Sequence, residues 1–231
     1  MRHFLDRQRF HTFTARDQIS RALVIATTAA TFVCSTGIAQ AQSGKLGTYA
    51  GTINVSGTEP GPKVNYVASI KISLPVSERD GSSISAEFLS GEAPNATVLI
   101  SQWDISHKEK SADSGGQFNS YTCSLAAPTE IPMTPTGVLN VDLKTKKHTL
   151  SITLLSTKDL AFNCVHSRSG AYKKKQGVIL YIGTGAPGMQ DAAPQPFSDP
   201  ARLNAKYTLL PSAATNGRGP IIQEWDLRLT K

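Results

Sequence analysis

From Gly47 onward, apolar and polar side chains alternate with a period of two through one short run after another, and this pattern constrains the fold more than any other feature of the chain. In the run 66–74, Tyr66, Ala68, Ile70, Ile72 and Leu74 fall on one face, with Ser69, Lys71 and Ser73 on the other. That is the signature of an antiparallel strand with one buried side. Leu139, Val141 and Leu143 repeat it, as do Leu150, Ile152 and Leu154 beyond the lysine-rich stretch 144–148, so these two runs predict a hairpin. Further strands are predicted over 47–56, 84–89, 96–106, 119–125, 159–165, 178–183, 206–210 and 221–230, separated by stretches rich in Gly, Pro, Ser and Asp. No segment carries a convincing 3.6-residue apolar period, so helix content is expected to be low. About eleven short strands predict an all-β fold, an antiparallel β-sandwich with a β-barrel as the alternative.

The first residues follow a different logic. Arg2, Arg7, Arg9, Arg16 and Arg21 outnumber Asp6 and Asp17, and the apolar run 22–33 leads to Ala39-Gln-Ala41. A basic segment, an apolar segment and a small-residue cleavage site predict a secretory signal peptide over 1–41, leaving 42–231 as a single all-β domain. The apolar run is shorter than the roughly 20 residues a membrane helix needs, so no transmembrane segment is expected after cleavage. Two acids and the long apolar block fit an organellar transit peptide poorly, and Thr31-Phe-Val-Cys34 lacks the small residues of a lipobox. Cleavage lowers the formal charge from +7 to +4, because nineteen Lys and Arg face fifteen Asp and Glu from Gln42 onward.

Two cysteines remain, Cys123 and Cys164, and an even count in an exported chain predicts a disulfide. By alternation Cys123 shares a face with Tyr121 and Leu125, and Cys164 with Leu160 and Phe162, so both sulfurs are expected to point inward. Neither has the closely spaced second ligand that zinc sites use, and no metal is expected.

The stretch Gly183-Thr-Gly-Ala-Pro-Gly188 satisfies G-x-G-x-x-G, but a dinucleotide site needs a helix opening at the third glycine. Pro194 and Pro196 block one, and export separates the chain from nucleotide pools, so neither a cofactor nor nucleic acid is expected. Pro187-Gly188 reads as a type II turn. The run 53–61 resembles 180–188, and a looser parallel continues, giving internal similarity between 53–88 and 180–225.

Chemistry is sparse. His107, His148 and His166 survive cleavage, but G-x-S-x-G, S-x-x-K and H-E-x-x-H are absent from the mature chain. Asp104 and Asp226 each follow a Trp and could pose as a carboxylate pair, although alternation turns both to solvent. His148 is expected to be exposed in its lysine-rich tip, and His166 to sit at the inner end or rim of a strand. No catalytic residue is assigned. The basic charge concentrates at Lys144, Lys146, Lys147 and His148 and at Arg168, Lys173, Lys174 and Lys175, candidates for binding an anionic envelope polymer or an acidic protein. The plain alternative is a solvated hairpin tip and loop.

The segment Gly51-Thr-Ile-Asn-Val-Ser-Gly57 resembles the opening strand of chaperone-assembled fimbrial subunits. That resemblance implies an exported, disulfide-bonded immunoglobulin-like sandwich, and no functional residue is carried over from it. Together these features predict a periplasmic or extracellular protein with a binding or structural role at the bacterial cell envelope. The alternatives are a fimbrial-like subunit that exchanges a strand, a secreted hydrolase and a small-ligand-binding barrel.

Overall fold

The computed structural model describes residues 46–88, 96–110, 118–184, 193–210 and 219–231, all within the compact unit Ile38–Lys231. The expected leader over 1–41 and the Pro187-Gly188 turn lie outside the described residues. Among the described residues fourteen strands form: β1 Thr48–Glu59, β2 Lys63–Pro75, β3 Glu78–Arg79, β4 Ser83–Phe88, β5 Ala96–Lys110, β6 Phe118–Leu125, β7 Thr129–Asp142, β8 Lys147–Ser156, β9 Leu160–His166, β10 Gly170–Gln176, β11 Ile179–Gly183, β12 Gln195–Pro196, β13 Arg202–Leu209 and β14 Ile221–Thr230. Every pairing is antiparallel, and no helix among the described residues is long and apolar enough to cross a membrane.

All eleven expected strands appear. The additions are instructive. β10 is exposed at six of its seven positions, so it has no apolar alternation to betray it. The first half of β7 was hidden by Pro132, Pro135 and Gly137, yet Ile131 and Met133 alternate inward there as in any half-buried strand. β3 and β12 are two-residue pairings with no periodicity to read.

The strands make one branched, open sheet. Its long arm has the order β10-β9-β6-β5-β2-β1-β14-β13. The short arm runs β3-β4-β7-β8, with β11 and β12 lying end to end along the free edge of β8. The arms join at β5, where β6 pairs with residues 104–110 and the start of β7 with 96–100 of the same edge. Beyond Met133, β7 leaves β5 and pairs with β4 and β8. Among the described residues β10 and β13 each bond to one neighbour only, so the sheet is open. The barrel alternative is thereby corrected: closure would need those two terminal strands to find each other.

A single apolar core collects the inward residues of both arms, among them Ile53, Ile70, Leu74, Val98, Leu139, Leu150, Ile152 and Leu227. At roughly 25 cal/mol per Å² of apolar area removed from water, this burial is the main stabilising term. The disulfide joins Cys123 and Cys164, which stand directly opposite each other on β6 and β9 and are both buried. Closing a loop with a sequence separation of 41 adds roughly 4 kcal/mol on the chain-entropy view.

The resemblance between 53–88 and 180–225 does not extend to pairing. β1 and β2 form a hairpin, whereas β11 pairs with β8 and β13 with β14. The fimbrial-like segment Gly51 to Gly57 lies inside β1, bonded to β2 on one side and β14 on the other.

Candidate binding surface

Few polar side chains enter the core, and they sit together. Trp225 of β14 donates its Nε1 proton to His148 Nε2 of β8 at 3.0 Å. Two residues earlier on β14, Gln223 accepts the Gly183 N–H at 2.7 Å and donates to the Tyr181 carbonyl at 3.0 Å. The long arm is thus bonded to the short arm side chain to side chain and side chain to backbone. Gly183 is required there: its φ is +63°, and a Cβ would collide with the Leu150 carbonyl. The first glycine of the G-x-G-x-x-G run is therefore architectural.

His148 overturns the expectation of an exposed imidazole. It is 1% exposed, edge-on to Trp225 and close to Phe197. Because Nε2 accepts, the neutral ring carries its proton on Nδ1, which has no well-formed partner among the described residues. Burial pushes its pKa down to about 4, with the Gln195 backbone acting in the opposite direction. A neutral, buried ring has no place in an exposed basic patch.

The other titratable candidates separate as well. His166 is half-buried at the end of β9, and its Nδ1 accepts the N–H groups of Arg168 and Ser169 at 3.1 and 3.3 Å. His107 packs its ring against Tyr121 with centroids 5.4 Å apart. Asp104 and Asp226 both face outward, but their cross-strand partners on β1 and β2 place them in rows six residues apart, roughly 20 Å along the strands. Paired glycosidase carboxylates lie within about 10 Å, so these two cannot act together. Asp226 instead receives the Arg202 fork at 3.2 and 3.0 Å, which lowers its pKa, with Arg228 adding to the effect. Among the described residues no cluster of three or more His, Cys, Asp or Glu is placed to hold a metal.

The lysines occupy two separate strand ends. Lys144, Lys146 and Lys147 are exposed at the β7–β8 tip, where Asp142 Oδ1 accepts the N–H groups of Lys144 and Thr145 at 2.8 and 3.0 Å. That tip lies beside β12 and, through His148, against β14. β10 is six strand steps from β14 along the long arm, so the two clusters lie on different arms of the sheet. Lys173, Lys174 and Lys175 line β10 itself, opposite Asn163, Phe162 and Ala161, and Arg168 sits in the β9–β10 turn. Alternation sends Lys173 and Lys175 to the outward face and Lys174 to the other, beside Tyr172, whose hydroxyl is 4.0 Å from Cys123 Sγ.

The outward face of the long arm holds a feature that alternation did not reveal. β2 and β5 change register between Val67 and Ala68, leaving Ser101 as an extra residue whose Oγ donates to the Val67 carbonyl at 3.2 Å. Around this bulge lies a shallow depression of about 340 Å³ lined by Val67, Leu99 and Ile222, 39%, 41% and 37% exposed, together with Asn54, Ser56, Ser69 and Ser101. Glu224, which also lines it, is held by Lys206.

Register connects this depression to β10. Ile222 stands opposite Ser56, Ser56 opposite Val67, and Val67 opposite Gln102. Ala126 continues the row one step beyond the Asp104–Ser124 pair, its N–H bonds to Ala161, and Ala161 is paired with Lys175. No family model, curated protein or solved structure matches this chain.

Proposed function

We propose that the chain is an exported β-sandwich without catalytic activity that binds an anionic polymer of the bacterial cell envelope, in the periplasm or outside the cell, along its β10 edge. The carrying observation is β10 itself: a terminal strand, exposed at six of seven positions, with three consecutive lysines that have no ion-pair partner among the described residues. An unpaired basic strip on a sheet edge concentrates polyanions and makes their binding salt-dependent. The basic residues of β13 and β14 offer no such surface, because Arg202, Arg228 and Lys206 are engaged by Asp226 and Glu224.

The sandwich reading draws on the Trp225–His148 and Gln223 bonds that tie the inner faces of the two arms. Export draws on the leader-like residues 1–41 and on a disulfide, which persists in oxidising compartments. The hairpin-tip lysines are left out of the site because they lie on the turn between β7 and β8 of the short arm and not on the terminal strand.

Co-sedimentation of the disulfide-intact protein with purified envelope material tests this reading. Binding at low salt that falls steeply at high salt, and that is lost in Lys173→Glu/Lys175→Glu but kept in Lys144→Glu/Lys146→Glu, is the expected outcome. Absence of binding at both salts, or equal loss in both variants, would overturn it.

A further inference from the structure

We infer that residues 195–197 form a strap over His148 that lifts from β8 in acid, opening the seam locally while the rest of the sheet stays folded. The strap is lightly held. β12 pairs with β8 only at Gln195–His148 and Pro196–Lys147, and Pro196 has no N–H to give. The Phe197 N–H adds one bond, to the Lys146 carbonyl at 3.1 Å, while the Gln195 side-chain amide turns back on the Ala193 carbonyl of its own segment. Beyond the strap the chain is fixed again: the Tyr49 hydroxyl donates to the Pro200 carbonyl at 2.6 Å, and Asp199 Oδ1 accepts the Ala201 N–H at 2.8 Å. Release therefore stops at Pro200 and leaves β13 and β14 in place.

Under the strap lies a group that acid changes. The ring centroids of Phe197 and Trp225 are 6.2 and 6.0 Å from that of His148, and the cavity left beside the imidazole, about 10 Å³, has room for one water at most. A second ring proton would have to enter at Nε2, which accepts from Trp225. No described neighbour brings a charge to balance it. On β7, Val141 stands opposite His148, and Asp142 follows on the outward face. Lys147 and Thr149 flank it on the outward face of β8, and the strap contributes only Gln195, Pro196 and Phe197. Glu224 and Asp226 flank Trp225 on the outward face of β14, held by Lys206 and Arg202. Tyr207 of β13 and Thr184 after β11 complete the lining without a charge. An imidazolium enclosed there lacks both water and a counter-ion, and lifting the strap is the smallest motion that returns it to solvent.

The sign follows from linkage. With a pKa of about 4 under the strap and about 6.5 in water, His148 favours the closed form in full above about pH 6.5 and loses that preference toward pH 4. Opening should rise about thirtyfold between pH 7.5 and 5.

Native-state hydrogen exchange of the disulfide-intact protein, corrected for the intrinsic effect of pH, tests this at the Phe197 amide against the amides of β1 and β2, which are paired on both sides. The Phe197 amide is expected to be far less protected than β1 and β2 at pH 7.5, and to lose about thirtyfold more protection by pH 5. His148→Gln, whose amide oxygen still accepts from Trp225, should abolish that loss. Phe197→Ala keeps His148 and thins its cover, so protection of the same amide should fall at least about tenfold at pH 7.5 even where His148→Gln does not fold. Protection at Phe197 equal to that of β1 and β2 would mean that only global unfolding frees it, and would overturn the strap. So would protection that is the same at pH 7.5 and 5, a pH dependence that survives in His148→Gln, or no fall in Phe197→Ala.

Discussion

The seam between the two arms and the β10 edge are both polar regions of an otherwise apolar-in, polar-out sheet, and they use their polar groups in opposite ways. In the seam, His148 and Gln223 are 1% and 0% exposed, and their bonds are matched to particular atoms across the core. Along β10, Lys173, Lys174 and Lys175 are exposed and have no ion-pair partner among the described residues. A buried polar group left without its partner costs the full desolvation penalty, whereas an exposed charge returns to water at almost no cost. Polar residues in the seam therefore fix the arrangement of the arms, and those on β10 remain available to a partner.

The largest effect expected from this contrast is at Gln223. Replacing it by Leu keeps the volume close but strands the Gly183 N–H and the Tyr181 carbonyl in the core. Each orphaned group costs about 1–3 kcal/mol, so urea unfolding of Gln223→Leu should show a loss of roughly 3 kcal/mol. A loss below about 1 kcal/mol would mean that water reaches the seam and that the two regions differ less than the structure implies.

The second prediction uses pH. His148 has a pKa of about 4 when folded and about 6.5 when unfolded, so the unfolded chain binds the extra proton between those values and stability rises with pH across that window. The contribution is complete above about pH 6.5 and is lost on descending to about pH 4, for a total near 3 kcal/mol. Protonation also removes the acceptor for the Trp225 indole proton. Asp80, Asp142 and Asp226 have lowered pKa values and lose their contributions only below the ordinary carboxylate range, so their window is distinct. Unfolding free energies from pH 7 to 4 should therefore slope in the native protein and flatten in His148→Gln. An unchanged slope in the variant would assign the pH dependence to other groups.

His148 also shows how far the sequence can be read. Its position shares parity with Leu150, Ile152 and Leu154, which places it inward by the same rule that located the strand. The neighbouring Lys144, Lys146 and Lys147 point to solvent, but here the periodicity of the strand outweighs the composition of the tip. The disulfide was legible because both cysteines have inward parity and only two lie beyond residue 41. β10 was not, because a strand with no buried face carries no period. The depression at Val67 was hidden for another reason: it depends on the register shift between β2 and β5 and on cross-strand neighbours far apart in the chain, neither of which is a local property. Gln223 could have been suspected from its parity with Ile221, Trp225 and Leu227, although its partners lie about 40 residues away, at |i−j| of 40 and 42.

A smaller effect is expected where the hairpin tip approaches the seam. Lys146 adopts φ 53°, a left-handed conformation that glycine occupies without steric cost, and its carbonyl accepts the Phe197 N–H at 3.1 Å. Lys146→Gly keeps that backbone bond and relieves the side-chain clash, so thermal unfolding should show a gain of up to about 1 kcal/mol. A loss of stability would show that the Lys146 side chain itself packs in the seam and would enlarge that region.

The smallest expected change in stability belongs to β10. Replacing Lys173, Lys174 and Lys175 by Thr should shift unfolding by no more than about 0.5 kcal/mol, because exposed charges contribute little and Thr suits a strand. Association should change far more. β10 ends the long arm with one edge of its backbone unpaired among the described residues, and lysines on such an edge oppose pairing with a second copy. The triple variant is expected to sediment as dimers or larger species at concentrations where the native protein stays monomeric, with salt promoting the same change in the native protein. If the variant stays monomeric and loses only polyanion binding, the lysines serve the ligand alone. If it unfolds readily, β10 belongs with the seam as part of what holds the fold together, and the contrast between the two regions fails.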